Sequence, residues 1–249
     1  MGNGWQMYLI CRTKKCVILV CSGTSSLRRA AQLKRHFPHL EIQDVRGNLN
    51  TRLRKLDEEG GTYAALVLAV AGVRRMNWES RISQYLDTDL SFYAVGQGAL
   101  GIECREDDMA TRQLLAPFSH VDTLIRCIAE RSFLKTLEGG CSAPVAVDSR
   151  YKDGVLNLTG GVWSLDGIES VVESLERDLK DGAEGRFTTQ PFAAIVASHV
   201  DSALLIGAEK IGIELAEKIV SLGGGAILQA AKEETERRKL VAANVPPSK

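Results

Sequence analysis

The chain has 249 residues, 45% of them hydrophobic and 25% charged, with a formal net charge of zero. That composition belongs to a folded globular protein of one or two domains and excludes disordered, collagenous and disulfide-scaffold classes. No apolar run approaches the ~18 residues of a spanning helix, so no membrane segment is expected.

The neutral total hides an asymmetry. Up to Leu56 there are 11 Lys/Arg against two acidic residues, Glu41 and Asp44, and the remainder carries the compensating negative charge. A local excess of arginine predicts an anionic partner, whether a polycarboxylate, a phosphate or nucleic acid. Aromatic residues are only 6% and are not interleaved with the arginines, which weighs against nucleic acid.

In chain order, residues 15–22 read as a buried strand through Val17, Ile18, Leu19 and Val20. Gly23-Thr24-Ser25-Ser26 then forms a turn that supplies an N-cap. A helix is predicted over 26–37, with Leu27, Ala30, Ala31, Leu33 and Phe37 as its stripe and Pro38 as its stop. A short strand over 41–45 is followed by Gly47-Asn48, which opens a helix carrying Leu49, Leu53 and Leu56. Residues 64–71 are continuously apolar, the pattern of a parallel strand covered on both faces. A helix over 73–86 and a strand over 91–95 complete a βαβαβαβ alternation, predicting an α/β unit with a mostly parallel sheet.

Beyond residue 118 the pattern changes. A long helix over 119–137 is expected to start on Ser119 and Asp122. Strands over 144–150, 155–164 and 168–177 are joined by Asp153-Gly154 and Asp166-Gly167, and Asp-Gly is a strong hairpin signal. Trp163 reads as core. A polar loop over 179–189 and helices over 202–222 and 226–237 complete an α+β domain with a three-stranded antiparallel sheet, and the tail is expected to fray.

Six cysteines occur without a CxxC. Residues 1–15 lack the pattern of a secretory leader, so free thiols in a reducing, cytosolic compartment are expected. Cys11, Cys16 and Cys21 are spaced C-x4-C-x4-C with no histidine nearby, and buried thiols are preferred to a metal site. Gly96-Gln97-Gly98-Ala99-Leu100-Gly101 matches GxGxxG, but no helix is predicted to open on its last glycine; a tight backbone crossing fits better than a dinucleotide site.

The residues most suited to chemistry are basic. A strand, a Gly/Thr/Ser turn and a helix with Arg28 and Arg29 in its first turn can bind an anion, or can be a solvated basic face. Arg46 and Arg52 follow the next strand, and strand ends of a parallel sheet converge on one edge, so the four arginines are expected to share a crevice. Cys141 follows Gly139-Gly140 and precedes Pro144 on a shaped loop, where it reads either as an unreactive thiol or as a derivatised one.

Four stretches occur in order: Gly23-Thr24-Ser25-Ser26-Leu27-Arg28-Arg29, Arg46-Gly47-Asn48-Leu49-Asn50-Thr51-Arg52-Leu53, Ala94-Val95-Gly96-Gln97-Gly98-Ala99-Leu100-Gly101 and Glu130-Arg131 followed by Leu137-Glu138-Gly139-Gly140-Cys141-Ser142-Ala143-Pro144. Together they resemble the porphobilinogen deaminase (hydroxymethylbilane synthase) family, from about Gly23 to the C-terminal helices. The resemblance implies a periplasmic-binding-protein-like α/β domain and a transferase activity. Four porphobilinogen molecules are condensed into a linear hydroxymethylbilane, with loss of ammonia, in haem biosynthesis. It implies a dipyrromethane cofactor on a thioether to Cys141, with Thr24, Ser26, Arg28, Arg29, Arg46, Arg52 and Gln97 contacting primer and substrate. It also implies a cytoplasmic monomer whose partners are porphobilinogen and its oligomers.

The resemblance divides the chain into a divergent segment (1–15), the family's second domain (16–93), a return segment (94–118) that normally completes the first domain, and the cofactor-bearing domain (119–249). The family's first domain, with its His-Ser-x-Lys-Asp motif, has no counterpart in these 249 residues; Lys152-Asp153 and Lys180-Asp181 lack the preceding His-Ser. No catalytic residue is therefore assigned, and little or no turnover is expected. A non-catalytic carboxylate- or tetrapyrrole-binding remnant is the alternative. Residues 93–115 are expected to lack a partner and to expose Val95, Leu100, Ile102, Leu114 and Leu115.

Overall fold

Two sheets organise the described residues, one mixed and one antiparallel. The structure is a computed structural model and describes residues 7–11, 21–138, 143–180 and 187–243. The first unit contains β1 (Met7–Cys11), β2 (Cys21–Gly23), α1 (Leu27–His36), β3 (Glu41–Gln43), α2 (Leu49–Asp57), β4 (Ala65–Ala69), α3 (Val70–Arg75) and β5 (Gln84–Leu86). Its sheet has the order β3-β2-β4-β1-β5. β3, β2 and β4 are mutually parallel, as a βαβ alternation requires.

Strand β1 was not expected. It runs antiparallel between β4 and β5, with Ile10 opposite Leu66 and Leu9 opposite Gln84. Ile10 is fully buried among Val45, Leu56, Leu66, Val70 and Val73. The strand predicted over 15–22 is described only at Cys21–Gly23, and the rest of it lies outside the described residues.

The helix predicted over 73–86 is corrected to α3, a 3-10 turn at Glu79–Arg81, and β5. The break is Asn77, which takes a φ of 56° and so leaves the helical region. The strand predicted over 91–95 is reduced to a single bridge between Tyr93 and Val147.

Next come α4 (Met109–Leu115), a 3-10 turn at Ala116–Phe118 and α5 (Val121–Thr136). The cap of α5 is His120, not Ser119: its ring accepts from the Thr123 amide. The second sheet is the antiparallel meander β6 (Val145–Lys152), β7 (Val155–Trp163) and β8 (Ser170–Asp178). Asp153 and Gly154, at φ 53° and 87°, form the tight two-residue turn that matches strand twist. Helices α6 (Ser202–Ser221) and α7 (Gly224–Ala243) follow, and α7 outruns the predicted 226–237 at both ends. Only Gly223, at φ 95°, breaks the chain there. None of the described helices is long and apolar enough to cross a membrane.

The larger core lies in this second unit, around Ile125, Phe133, Leu156, Leu158, Leu205, Ile211 and Leu215. Helices α5 and α6 cross at Gly212, where any Cβ would strike the Ala129 carbonyl. A β-carbon on Gly160 would lie 2.5 Å from the Phe133 ring, so the sheet lies flat on that side chain. Trp163 is buried as expected. It meets Phe92 edge to face at 5.9 Å, and with Ala31 and Ala146 this pair packs α1 of the first unit onto the second sheet.

Candidate functional site

The strand-turn-helix at Gly23–Arg29 forms as the sequence suggests. Thr24 is buried, its amide donates to the Gln43 carbonyl, and its hydroxyl accepts from the Ser26 amide at 3.3 Å. Ser26 caps α1 by accepting from the Arg29 amide. Arg29 is itself buried, and its Nη1 donates to the Val67 carbonyl at 3.0 Å. A strand carbonyl therefore fixes the guanidinium from behind. Arg28 is half-buried one residue earlier.

The second motif builds the opposite wall. Asn48 caps α2 by accepting from the Thr51 amide at 2.8 Å, and Arg52 Nε donates to the Gly47 carbonyl at 2.7 Å. Gly47 has a φ of 116°, which favours glycine, and a Cβ there would crowd Thr51.

Arg29 and Arg52 converge on one cavity of about 270 Å³, lined also by Gly47, Asn48, Leu49, Leu68, Ala69 and Gly72. Neither α1 nor α2 has an acidic residue in its first turn. The positive ends of both helices therefore add to the guanidiniums without local compensation. Two rigid forks over an apolar floor of Leu49 and Leu68 suit a carboxylate-bearing organic ligand.

The remaining predicted residues lie elsewhere. Arg46 is outside the cavity lining; its side chain is 82% exposed and pairs with Asp44 at 2.7 Å. Gln97 sits on a turn between Gly96 and Gly98, at φ 66° and 85°. Cys141 falls outside the described residues, as do Cys11's side chain and Cys16. Among the described residues no group of three or more His, Cys, Asp and Glu is placed to hold a metal. Burial raises the Cys21 thiol above its ordinary value, with Glu41 adding to the effect.

Glu130 stands with Arg131 in the fourth stretch of the resemblance, but the sequence assigns it no role. It is fully buried on α5, and its carboxylate accepts from the Gly96 amide at 2.7 Å, the Ser149 hydroxyl at 2.6 Å and the Tyr93 hydroxyl at 3.1 Å. Burial pushes its pKa up, while those donors and Arg126 oppose the shift. The residue's place in an apolar helix pattern was the available signal, since a buried carboxylate requires partners.

Two family profiles match the chain. The one described as "Porphobilinogen deaminase, dipyromethane cofactor binding domain" matches residues 14–113, and "Porphobilinogen deaminase, C-terminal domain" matches 124–185. The chain is similar to the porphobilinogen deaminase of Parasynechococcus marenigrum, 46% identical over 85% of this chain and 58% of that protein. It is 53% identical to that of Synechococcus elongatus over 66% of this chain and 48% of the relative. For that of Gloeobacter violaceus the figures are 59% identity, 58% and 44%. The chain thus spans about half the length of the relatives it matches.

Proposed function

Because the chain belongs to the porphobilinogen deaminase family, we propose that its first unit holds the acetate and propionate groups of a pyrrole oligomer anchored through Cys141. The supporting observation is the shared cavity of Arg29 and Arg52. The donor set fits dipyrromethane, which is apolar in its rings and anionic at its side groups. When bound, that group supplies the primer from which the chain of pyrroles grows. Arg29 orients one carboxylate because its own guanidinium is held by the Val67 carbonyl. Arg52 closes the opposite side, tied to Gly47. Thr24 and Ser26 shape the turn, Arg28 adds positive charge, and Gln97 and Arg46 act from outside the lining. A periplasmic-binding-protein-like arrangement, the four domain segments and a cytoplasmic monomer belong to the same proposal.

The proposed reaction of the whole protein is the family's stepwise condensation of porphobilinogen with loss of ammonia. Arginines bind carboxylates, but turnover also requires a positioned carboxylate against the developing cation. The His-Ser-x-Lys-Asp motif is absent from these 249 residues. We therefore propose binding with negligible turnover. Incubating the purified chain with porphobilinogen and assaying for uroporphyrin tests this, and clear turnover would refute it. Intact-mass spectrometry separates the two remaining readings: an adduct of dipyrromethane size on Cys141 supports primer loading, and a bare thiol supports a binding remnant. Arg29→Ala is expected to weaken porphobilinogen binding at least tenfold in calorimetry, whereas Arg46→Ala changes it less than threefold.

A further inference from the structure

The turn that carries Gln97 is held from two sides. Arg75, on α3 of the first unit, donates to the Gly98 carbonyl at 3.3 Å. From the second unit, Glu130 accepts from the Gly96 amide at 2.7 Å. The Glu130 contact is part of a closed circuit. Arg126 Nε donates to the Ser149 hydroxyl at 2.8 Å, and Nη2 donates to the Tyr93 hydroxyl at 3.0 Å. Both hydroxyls in turn donate to Glu130, and the Ser149 amide donates to the Tyr93 oxygen at 2.7 Å.

The proton count gives the circuit its direction. A guanidinium only donates and an ionised carboxylate only accepts. Each hydroxyl takes a hydrogen bond from Arg126 and passes its single proton to Glu130. Oε2 of Glu130 is left for the Gly96 amide. Tyr93, Glu130 and Ser149 are all buried, so bulk water offers no easy substitute for a missing member. The circuit lies away from the Arg29 and Arg52 cavity, and nothing in the proposed chemistry requires a carboxylate there.

We propose that Glu130 is a positioning residue: through the Gly96 amide it sets the turn bearing Gln97 relative to α5, the helix that leads toward Cys141. Gln97 and Cys141 matter here only under the function proposed above, on which this inference rests. Helix α5 is then a rigid spacer. It holds the Gln97 turn at its middle, and the sequence runs on from its end toward Cys141. Glu130 touches no substrate and acts through Gly96 and Gln97.

Two variants of the full chain test this: Glu130→Met, and the pair Arg126→Met with Glu130→Met. The pair removes the guanidinium together with its carboxylate, so it is expected to be less destabilised than the single change. Neither variant restores an acceptor to Gly96. In both, amide exchange at Gly96 measured by NMR is expected to accelerate at least tenfold, with the amides of the β6–β7 ladder unchanged. Porphobilinogen binding is expected to weaken in both, and adding Gln97→Ala should weaken it no further than Gln97→Ala alone. Wild-type exchange at Gly96 in the folded pair, or losses that add to those of Gln97→Ala, would overturn the proposal. If the unaltered chain binds no porphobilinogen, the functional reading falls, and Gly96 exchange still decides whether Glu130 holds the turn.

Discussion

Helices α4 and α5 are separated by one short turn, yet they live in different surroundings. α5 buries eight of its 16 residues, and α4 buries none. Leu100, Ile102, Leu114 and Phe118 are 81%, 65%, 71% and 75% exposed in the stretch around α4. Phe133 and Ile128 on α5 are completely covered. Both stretches are rich in apolar residues, so hydrophobicity alone does not make a core; a facing element must cover it. α5 has α6 and the second sheet, and nothing among the described residues does the same for α4.

The largest contrast should appear in thiol chemistry. Cys104 is exposed beside α4, whereas Cys127 is buried on α5, with its pKa pushed up to about 11 by burial and then by Glu130. At pH 8 only about 0.1% of such a thiol is ionised. Iodoacetamide at that pH should modify Cys104 and spare Cys127 in the folded chain, read by peptide mass spectrometry. Equal labelling would mean that α5 opens and that the contrast is false.

Phe133→Ala should cost about 3–5 kcal/mol in urea unfolding, because a ring wedged beneath Gly160 leaves a void that backbone cannot fill. A loss below about 1 kcal/mol would deny this region its place as the main core.

Gln32→Leu should cost about 2 kcal/mol. The Gln32 amide donates to the Phe92 carbonyl at 3.3 Å and accepts from the Phe92 amide at 2.7 Å, so leucine orphans both. The smallest change is expected for Leu114→Ser with Phe118→Ser. Stability should shift by no more than about 0.5 kcal/mol each, since both sites are exposed. Light scattering at high concentration should fall nonetheless. A large loss of stability would show that α4 packs against something after all.

Much of this contrast was legible beforehand. The exposure of Leu100, Ile102 and Leu114 follows from apolar residues with no predicted partner, and it is found. Val95 was expected to be exposed too, yet it packs against the second core, because Tyr93 bridges Val147 and draws the chain inward. Helices α1 and α2 and the β6–β8 meander were readable because caps, apolar stripes and Asp-Gly turns agree locally. β1 was not, since a strand paired only with distant segments has no turn or repeat to announce it. The single helix expected over 73–86 failed at Asn77, where a left-handed residue ends α3. At the site, Arg29 and Arg52 were readable as strand-end cations, and the structure brings them to one cavity. The outward course of Arg46 was not, because its pairing with Asp44 depends on side-chain direction at a strand end. Glu130 was visible in the fourth stretch of the resemblance, but its buried network was not, because a helical pattern counts apolar positions and passes over the partners of a carboxylate among them.

The placement of β1 also dictates an order of assembly. Its neighbours in the sheet arrive late in the chain: Ile10 lies opposite Leu66, and Leu9 opposite Gln84. Closing loops of that length has an entropic penalty that local helices and the β2–β3 crossover escape. The parallel strands and their helices can therefore condense early, while the strand synthesised before them waits for its slot beside β4. β5 pairs only with β1 among the described strands, so it docks last, and a refolding experiment should show the 84–86 amides gaining protection after those of β4.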